Sequence, residues 1–303
     1  MKINKMPNFL IVGAAKSGTS SLHEYLIQHE DIFMPTINKE GRSVKEPQFL
    51  IKEKLMDRLH SGIWDWNEYQ SLFNDVKEES CIGEASVFYL YYYKQAIKNI
   101  KYRLGESTKI IIILRNPIHR AYSAFNHVSR SGVENLSFKD SLDQEDNRLE
   151  KDVTLTPMVM YKDMGLYYSM VKAYKEEFKD VHVILFDDFK QNTDKVMQDV
   201  FKFLNVKTEI KINSTVKHNV GGKKWKNQWL RKLFYNRSFF KIVYQKIIPK
   251  KVKLMIQEKL VFLSTNPIKP MSKEVHNDLL LFFRQDIKKL SQLLELNLDK
   301  WMK

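Results

Sequence analysis

The sequence predicts an α/β fold with an open, mostly parallel sheet, helices on both faces and a helical C-terminal region. Short apolar runs of strand length alternate with longer segments of helical periodicity, and this alternation is typical of parallel sheets. The 303 residues are 43% hydrophobic and 28% charged, as in ordinary globular proteins. We therefore expect a single domain over residues 1–303, with a helical, basic part at about 223–303.

The first predicted unit is a strand, a loop and a helix. Asn8–Val12 is a short apolar run that ends at Gly13, which indicates a buried parallel strand. The segment Thr19–His29 then carries apolar side chains at helical spacing. The residues between the two form a loop at the start of a helix.

Two more strands and a helix follow further along the chain. Ile110–Leu114 is an uninterrupted, mostly β-branched run, as expected for a strand covered on both faces. Pro117 suits the first turn of a helix that runs to about Arg130. Val181–Phe186 predicts a third strand.

Two longer segments complete the expected architecture. Leu136–Asp163 is polar and irregular, which favours a mobile surface excursion or a lid. Met271–Trp301 carries an apolar stripe and predicts one long amphipathic helix.

The composition restricts the partners and the compartment. The formal net charge of +14 favours anionic partners without choosing among them. Cys81 is the single cysteine, so an internal disulfide and a cysteine-rich metal site are excluded, and we expect a small buried residue there. We see neither a signal peptide nor a membrane-spanning run, and expect a cytoplasmic protein.

The loop Gly13–Ser20, with the sequence Gly-Ala-Ala-Lys-Ser-Gly-Thr-Ser, has the composition of a phosphate site. Small residues let backbone N–H groups approach a phosphate, and the following helix presents its positive end there. Lys16 adds a charge, and Ser17, Thr19 and Ser20 add hydroxyl donors. The unit is therefore P-loop-like.

The position of the lysine separates this loop from that of a nucleotide triphosphatase. Gly13 and Gly18 have the right spacing, but the triphosphatase loop requires Lys directly after the second Gly. Here Thr19 follows Gly18, and the lysine is Lys16. The displaced lysine argues against nucleoside triphosphate hydrolysis, and a tight turn with a solvated Lys16 is the structural alternative.

Phe9–Leu22, together with Lys45–Phe49, resembles the family of sulfotransferases that use 3′-phosphoadenosine-5′-phosphosulfate (PAPS), in particular its bacterial carbohydrate and heparan sulfate-type members. The resemblance implies that the loop binds the phosphosulfate end of PAPS and that Lys16 is catalytic. It assigns the following loop residues to the donor: Ala15, Lys16, Ser17, Gly18, Thr19 and Ser20.

A second motif of this family is a hydrophobic strand ending in Arg, with Ser eight positions later. Arg115 and Ser123 match it, and the resemblance implies that they bind the 3′-phosphate of PAPS. An Arg at the end of a parallel strand points into the ligand crevice of such sheets, and its planar fork suits a phosphate. Otherwise Arg115 pairs with an acid and Ser123 is a surface hydroxyl.

Glu46 is the candidate general base. Lys45–Phe49 resembles the Glu-x-His/Gln-Phe-Phe segment of the heparan sulfate enzymes, in which that Glu is the base. Because a residue before proline avoids helical geometry, Glu46 should end a loop just before a helix. The alternative is a helix-start carboxylate. His127, one turn after Ser123, is the second candidate base, and His119 and His23 are weaker ones.

Ile82–Leu90 resembles the Gly-Glu-x-Ser/Thr-Pro-x-Tyr segment of the family, with two departures. Val87 stands where Pro is usual, and Ala85 stands where heparan sulfate enzymes commonly carry an active-site Lys. The missing Lys weakens heparan sulfate as the expected acceptor.

The basic C-terminal part resembles the family in one loop. Lys217–Trp225 is similar to the loop that covers the donor, which adds Gly222, Lys223 and Lys224 to the donor-binding residues. The segment from Lys223 to Leu260 contains twelve Lys or Arg residues and one acidic residue, Glu258. This segment is either a face that docks an anionic acceptor at a membrane surface or an amphipathic region with a solvated basic face.

Together these features predict an enzyme that moves a sulfuryl group from PAPS to an acceptor hydroxyl, on a carbohydrate or a glycolipid, without a metal. A P-loop kinase or triphosphatase is the alternative enzyme. A basic nucleic-acid-binding protein is the alternative without catalysis, drawn from the charge alone, and it leaves Arg115, Ser123 and Glu46 without a role.

Overall fold

The computed structural model describes residues 5–59, 61–214, 223–225, 265–267 and 270–303, with only the backbone at 223–225 and 265–267. The main sheet has five strands, all parallel, in the order β2-β3-β1-β4-β5. The strands are β1 (Phe9–Gly13), β2 (Ile32–Phe33), β3 (Cys81–Ala85), β4 (Lys109–Leu114) and β5 (Val181–Leu185). The three strands predicted from apolar runs are confirmed.

Eleven α-helices are found in the part of the chain that the structure describes. They are α1 (Thr19–Leu26), α2 (Lys52–Leu55), α3 (Trp66–Ser71), α4 (Tyr93–Arg103), α5 (Pro117–Ser131), α6 (Phe138–Asp143), α7 (Arg148–Lys151), α8 (Tyr167–Glu177), α9 (Phe186–Gln191), α10 (Thr193–Leu204) and α11 (Lys273–Leu294). Short 3-10 turns cover Phe49–Ile51, Pro157–Val159, Asp163–Gly165 and Asp299–Met302.

The sheet separates two hydrophobic cores. Alternate residues of one strand point to opposite faces, so Leu10 packs with helices α4, α5, α8 and α11, whereas Ile11 packs with α1 and α10. Both residues are fully buried. This two-sided burial explains the unbroken apolar runs of the central strands and confirms helices on both faces.

Strand β3 was not predicted because its sequence lacks such a run. A Cβ atom at Gly83 would lie 2.0 Å from the Phe9 ring of the neighbouring strand, so only glycine fits there. Cys81, at the start of β3, is buried as expected and its thiol donates to the Leu204 carbonyl at 3.3 Å.

Several predicted ends shift by a few residues. Helix α1 stops at Leu26 rather than at His29, and Phe186 starts α9 rather than closing β5. The C-terminal helix ends at Leu294, because Glu295 adopts left-handed geometry with φ of 54°. A separate 3-10 turn then brings Trp301 into the core.

The segment Leu136–Asp163 is more regular than its polar composition predicts. Helices α6 and α7 lie within it, and Glu134 fixes its base. The buried Glu134 carboxylate accepts from Arg148 at 2.8 Å and from the Tyr161 hydroxyl at 2.8 Å. Ion pairs and hydrogen bonds thus order this polar segment, and its hydrophobic periodicity alone does not reveal them.

Part of the basic C-terminal region can be placed through its backbone. Lys223–Trp225, expected in a loop, forms a strand β6 that pairs antiparallel with β7 (Thr265–Pro267) and lies beside α5. Gly222 lies outside the described residues, as does most of the basic segment. Among the helices described, none is long and apolar enough to cross a membrane. The single-domain organisation of residues 1–303 stays a prediction.

Candidate active site

The candidate site lies in the crevice between β1 and β4. These neighbouring parallel strands end at the same edge of the sheet. The chain leaves β1 towards β2 and β3 on one side, and leaves β4 towards β5 on the other, so a crevice opens between the two ends. The Gly13–Ser20 loop follows β1 and Arg115 follows β4, which brings the two predicted motifs together.

Two glycines give the loop its shape. Gly13 has φ of 154°, and a Cβ atom there would lie 2.7 Å from Cβ of Leu90. Gly18 has φ of 98°, and its Cβ atom would meet the Phe186 ring at 3.0 Å. The backbone between them turns tightly enough that Lys16 also has a positive φ, 69°. The loop therefore needs glycine at both ends.

The start of α1 is open to an anion. Among the residues that the structure describes, no side chain caps this helix, and its first turn contains no acid, whereas Asn116 caps α5 through the N–H groups of Ile118 and His119. The Ser17 hydroxyl is buried at the loop beside the Tyr167 hydroxyl. A bound phosphate would satisfy the uncapped N–H groups at the start of the helix.

Arg115 is held in position across the crevice. Its guanidinium donates from Nη1 to the Lys16 carbonyl at 3.2 Å and stacks on the Phe186 ring at 5.0 Å from the ring centre. The Tyr167 hydroxyl donates to the Arg115 carbonyl at 3.0 Å. The two predicted phosphate motifs are therefore joined by a direct hydrogen bond.

The site carries a strong positive potential. Burial, followed by the charges of Arg130 and Arg115, lowers the pKa of the Lys16 ammonium to about 8, and Glu46 counteracts this shift. Lys45 contributes further to the lowering. These cations repel one another, and the single carboxylate of Glu46 balances only part of their charge, so a bound anion would relieve the repulsion. Such an arrangement is characteristic of a functional site.

Glu46 lies beside this cluster and keeps access to solvent. Its side chain is 30% exposed; Oε1 accepts from Lys45 at 3.1 Å and Oε2 accepts from Gln48 at 3.0 Å. The residue precedes the 3-10 turn at Phe49–Ile51, as expected for a residue before proline. Each carboxylate oxygen retains a free lone pair, so Glu46 can accept a proton from a bound hydroxyl.

Helix α5 presents three polar side chains on one face. Ser123, His127 and Arg130 are separated by four and three positions. His127 is solvent-accessible in the cleft; desolvation by the surrounding protein, followed by the charges of Lys16 and Arg130, lowers its pKa to about 4. Arg130 also contacts its Nδ1 at 3.4 Å. This pKa keeps the His127 ring neutral at physiological pH, so both His127 and Glu46 stay candidates for the base.

The remaining predicted residues are distributed as follows. Thr19 and Ala15 are buried in the loop, and Ser20 is half-buried and accepts from Lys45 at 2.7 Å. The backbone of Lys223 and Lys224 lies in β6 beside α5. The roles of all these residues stay predictions.

Sequence reasoning missed two cations of the site. Arg130 could have been found, because it lies seven residues after Ser123 and thus on the same helical face. No helical spacing links Lys45 to the other site residues, because its contact with Ser20 joins residues 25 positions apart.

The sheet order, the loop and the cation cluster define a P-loop-like α/β protein with a cation-lined crevice between β1 and β4. The family described as "Sulfotransferase domain" matches residues 6–240, and the chain belongs to this family.

Known relatives agree with this membership. The chain is 26% identical over 217 residues to bifunctional heparan sulfate N-deacetylase/N-sulfotransferase 3 of Homo sapiens, covering 67% of this chain and 23% of that protein. It is 22% identical over 257 residues to carbohydrate sulfotransferase 15 of Homo sapiens, covering 68% and 45%. The chain thus spans less than half the length of these curated relatives.

A solved structure matches nearly the whole fold. The sulfotransferase from Alicyclobacillus acidocaldarius superimposes with a TM-score of 0.72 and 29% identity, covering 98% of this chain and 99% of that one. The similarity includes the sheet and the helical C-terminal region.

Proposed function

We propose that the chain transfers a sulfuryl group from PAPS to a hydroxyl of a carbohydrate acceptor. The hydrogen bond from Arg115 to the Lys16 carbonyl carries this proposal, because it joins two separate anion-binding groups across one crevice. A ligand with phosphate at both ends of an adenosine suits such a pair. Arg115 and Ser123 bind the 3′-phosphate, and the Gly13–Ser20 loop binds the phosphosulfate.

The reaction is a single in-line displacement. The acceptor oxygen attacks the sulfur while the bond from sulfur to the phosphate oxygen breaks, and Glu46 takes the hydroxyl proton. Lys16 neutralises the charge that develops on the leaving phosphate. The products are the sulfated acceptor and 3′-phosphoadenosine 5′-phosphate (PAP). Side-chain cations supply the charge stabilisation that the reaction needs.

A carbohydrate or glycolipid acceptor is proposed from the segment around Glu46 and from the names of the relatives, one of which is a carbohydrate sulfotransferase. Ala85 is fully buried at the end of β3 and provides no amino group for an acidic sugar. Acceptor transfer from radiolabelled PAPS, screened over neutral and acidic glycans, tests the class. A cytoplasmic location and docking of residues 223–260 at a membrane remain predictions.

We expect Arg115→Ala to weaken PAP binding by about 10- to 100-fold, since a charge-assisted hydrogen bond to phosphate is worth roughly 1.5–3 kcal/mol. Binding of adenosine 5′-phosphate, which lacks the 3′-phosphate, should be almost unchanged. Isothermal titration calorimetry measures both affinities. Arg42→Ala removes an exposed arginine that belongs to neither phosphate motif and serves as the charge-matched control.

Equal losses for the two nucleotides would contradict the assignment of Arg115 to the 3′-phosphate. Tighter binding of ATP with Mg²⁺ than of PAP would favour a kinase. Binding of RNA or DNA with a steep dependence on salt would favour the nucleic-acid protein.

A further inference from the structure

Lys45 lies between the donor loop and the candidate base. Its ammonium donates to the Ser20 hydroxyl at 2.7 Å and to Oε1 of Glu46 at 3.1 Å. The side chain is 22% exposed, and within the described ranges Glu46 is the one carboxylate that it pairs with. One cation therefore connects a residue of the first turn of α1 with the residue proposed to take the proton.

The two hydrogen bonds of Lys45 leave both of its partners able to bind a substrate group. A serine hydroxyl has one donor and two acceptor sites. Because Ser20 accepts from Lys45, its own proton stays available for a phosphate oxygen in the loop. At the other end, Lys45 uses one lone pair of Glu46 and Gln48 uses another, so the carboxylate keeps acceptor sites for the substrate hydroxyl.

The two connected residues differ in how firmly the fold holds them. Ser20 belongs to α1, which packs through Leu22 and Leu26 into the core beneath the sheet. Glu46 belongs to the irregular segment between β2 and the 3-10 turn at Phe49–Ile51. A loop residue is positioned less precisely than a helix residue unless a side chain fixes it.

On these observations we propose that Lys45 is a positioning residue, which fixes the base relative to the donor loop and orients Ser20 as a phosphate donor. This role rests on the proposed function. It deepens the mechanism because the attacking oxygen must lie about 3–3.5 Å from the sulfur, and a 1 Å misplacement costs about 100-fold in rate. Lys45 sets that distance without touching the reacting atoms.

Lys45→Met tests the proposal through separate measurements of turnover and donor binding. We expect kcat to fall about 10- to 100-fold, because the base loses its fixed position. The dissociation constant for PAP should rise less than about threefold, since Lys45 orients only one of the several phosphate donors proposed in the loop. Lys45→Arg restores a donor of the same charge and should recover most of kcat. Lys52→Met, a charge-matched change at a lysine that contacts the Trp64 carbonyl, should leave both constants unchanged.

A double-mutant cycle shows whether Lys45 acts through Glu46. We expect Lys45→Met to lower kcat much less in a Glu46→Gln background than in the wild type, because residues that act together are not additive. Additive effects, or a loss of PAP affinity as large as the loss of kcat, overturn the positioning role. Wild-type protein that transfers no sulfuryl group and binds no PAP instead overturns the proposed function, and the role of Lys45 with it.

Discussion

Glu46→Gln is expected to reduce kcat by about 10²- to 10⁴-fold, the usual contribution of a general base. The substitution keeps the size and the hydrogen-bonding shape of the side chain but removes its capacity to accept a proton. PAP affinity should stay within about twofold, since the donor loop is untouched and Glu46 contributes only one of several charges near Lys16. Steady-state kinetics with saturating PAPS and calorimetric titration of PAP measure the two effects.

His127→Gln is the control for this experiment, because His127 is the second candidate base on the same cleft. Its ring contacts Arg130 at 3.4 Å, and because Glu46 stays intact as the proposed base we expect a loss in kcat below about tenfold. Retention of turnover in Glu46→Gln together with a large loss in His127→Gln would assign the base to the histidine. The comparison thus decides between two residues that the sequence alone left open.

The central part of the fold was predictable because β1 and β4 are unbroken apolar runs buried on both faces. β5 is a half-buried edge strand that is still mostly apolar, and α5 begins with a proline after a capping asparagine. By contrast, β2 has two residues, and β3 holds a glycine that fits under the Phe9 ring. Such strands are fixed by their neighbours, and local sequence does not reveal them.

The residues of the site likewise fall into those that the sequence predicts and those that only the packing of the chain brings together. Loop residues of Gly13–Ser20 and Arg115 follow recognisable strands, and their positions at one sheet edge follow from parallel topology. The contact between Lys45 and Ser20 depends on how the segment after β2 folds back over α1. The path of that segment is set by packing, so sequence periodicity cannot predict it.

Lys16→Met is expected to lower kcat about 10²- to 10³-fold, because it removes a preorganised charge from the leaving phosphate. Lys16→Arg keeps a charge but presents it as a longer, planar group, and should recover only part of the rate. Single-turnover measurements with saturating PAPS report the chemical step directly. An unchanged single-turnover rate in Lys16→Met would place the stabilising charge on another residue, with Arg130 the first to examine.

The lowered pKa of Lys16 gives this variant a distinctive pH dependence. Lys16 is charged below its pKa of about 8, so PAP affinity should be constant below that pH and fall as the pH rises through it. In Lys16→Met the affinity should be weaker and should lack this fall. Lys16→Arg should also lack it, because the guanidinium stays protonated throughout. Titration of PAP binding between about pH 7 and 9.5 distinguishes the three proteins.

The same shift makes Lys16 a cost to folding. Its pKa is about 8 in the folded protein and 10.5 ordinarily, so the unfolded chain binds more protons between these values. Holding the charged form in the cleft therefore destabilises the protein below about pH 8, and the cost declines as the pH rises towards 10.5.

After allowance for solvent screening, we expect Lys16→Met to raise the free energy of unfolding by about 1–2 kcal/mol at neutral pH. The gain should shrink at about pH 9.5, and chemical denaturation at both values measures it. An inactive variant that is more stable than the wild type indicates a charge kept for its ligand, whereas a less stable one would mean that Lys16 serves the fold.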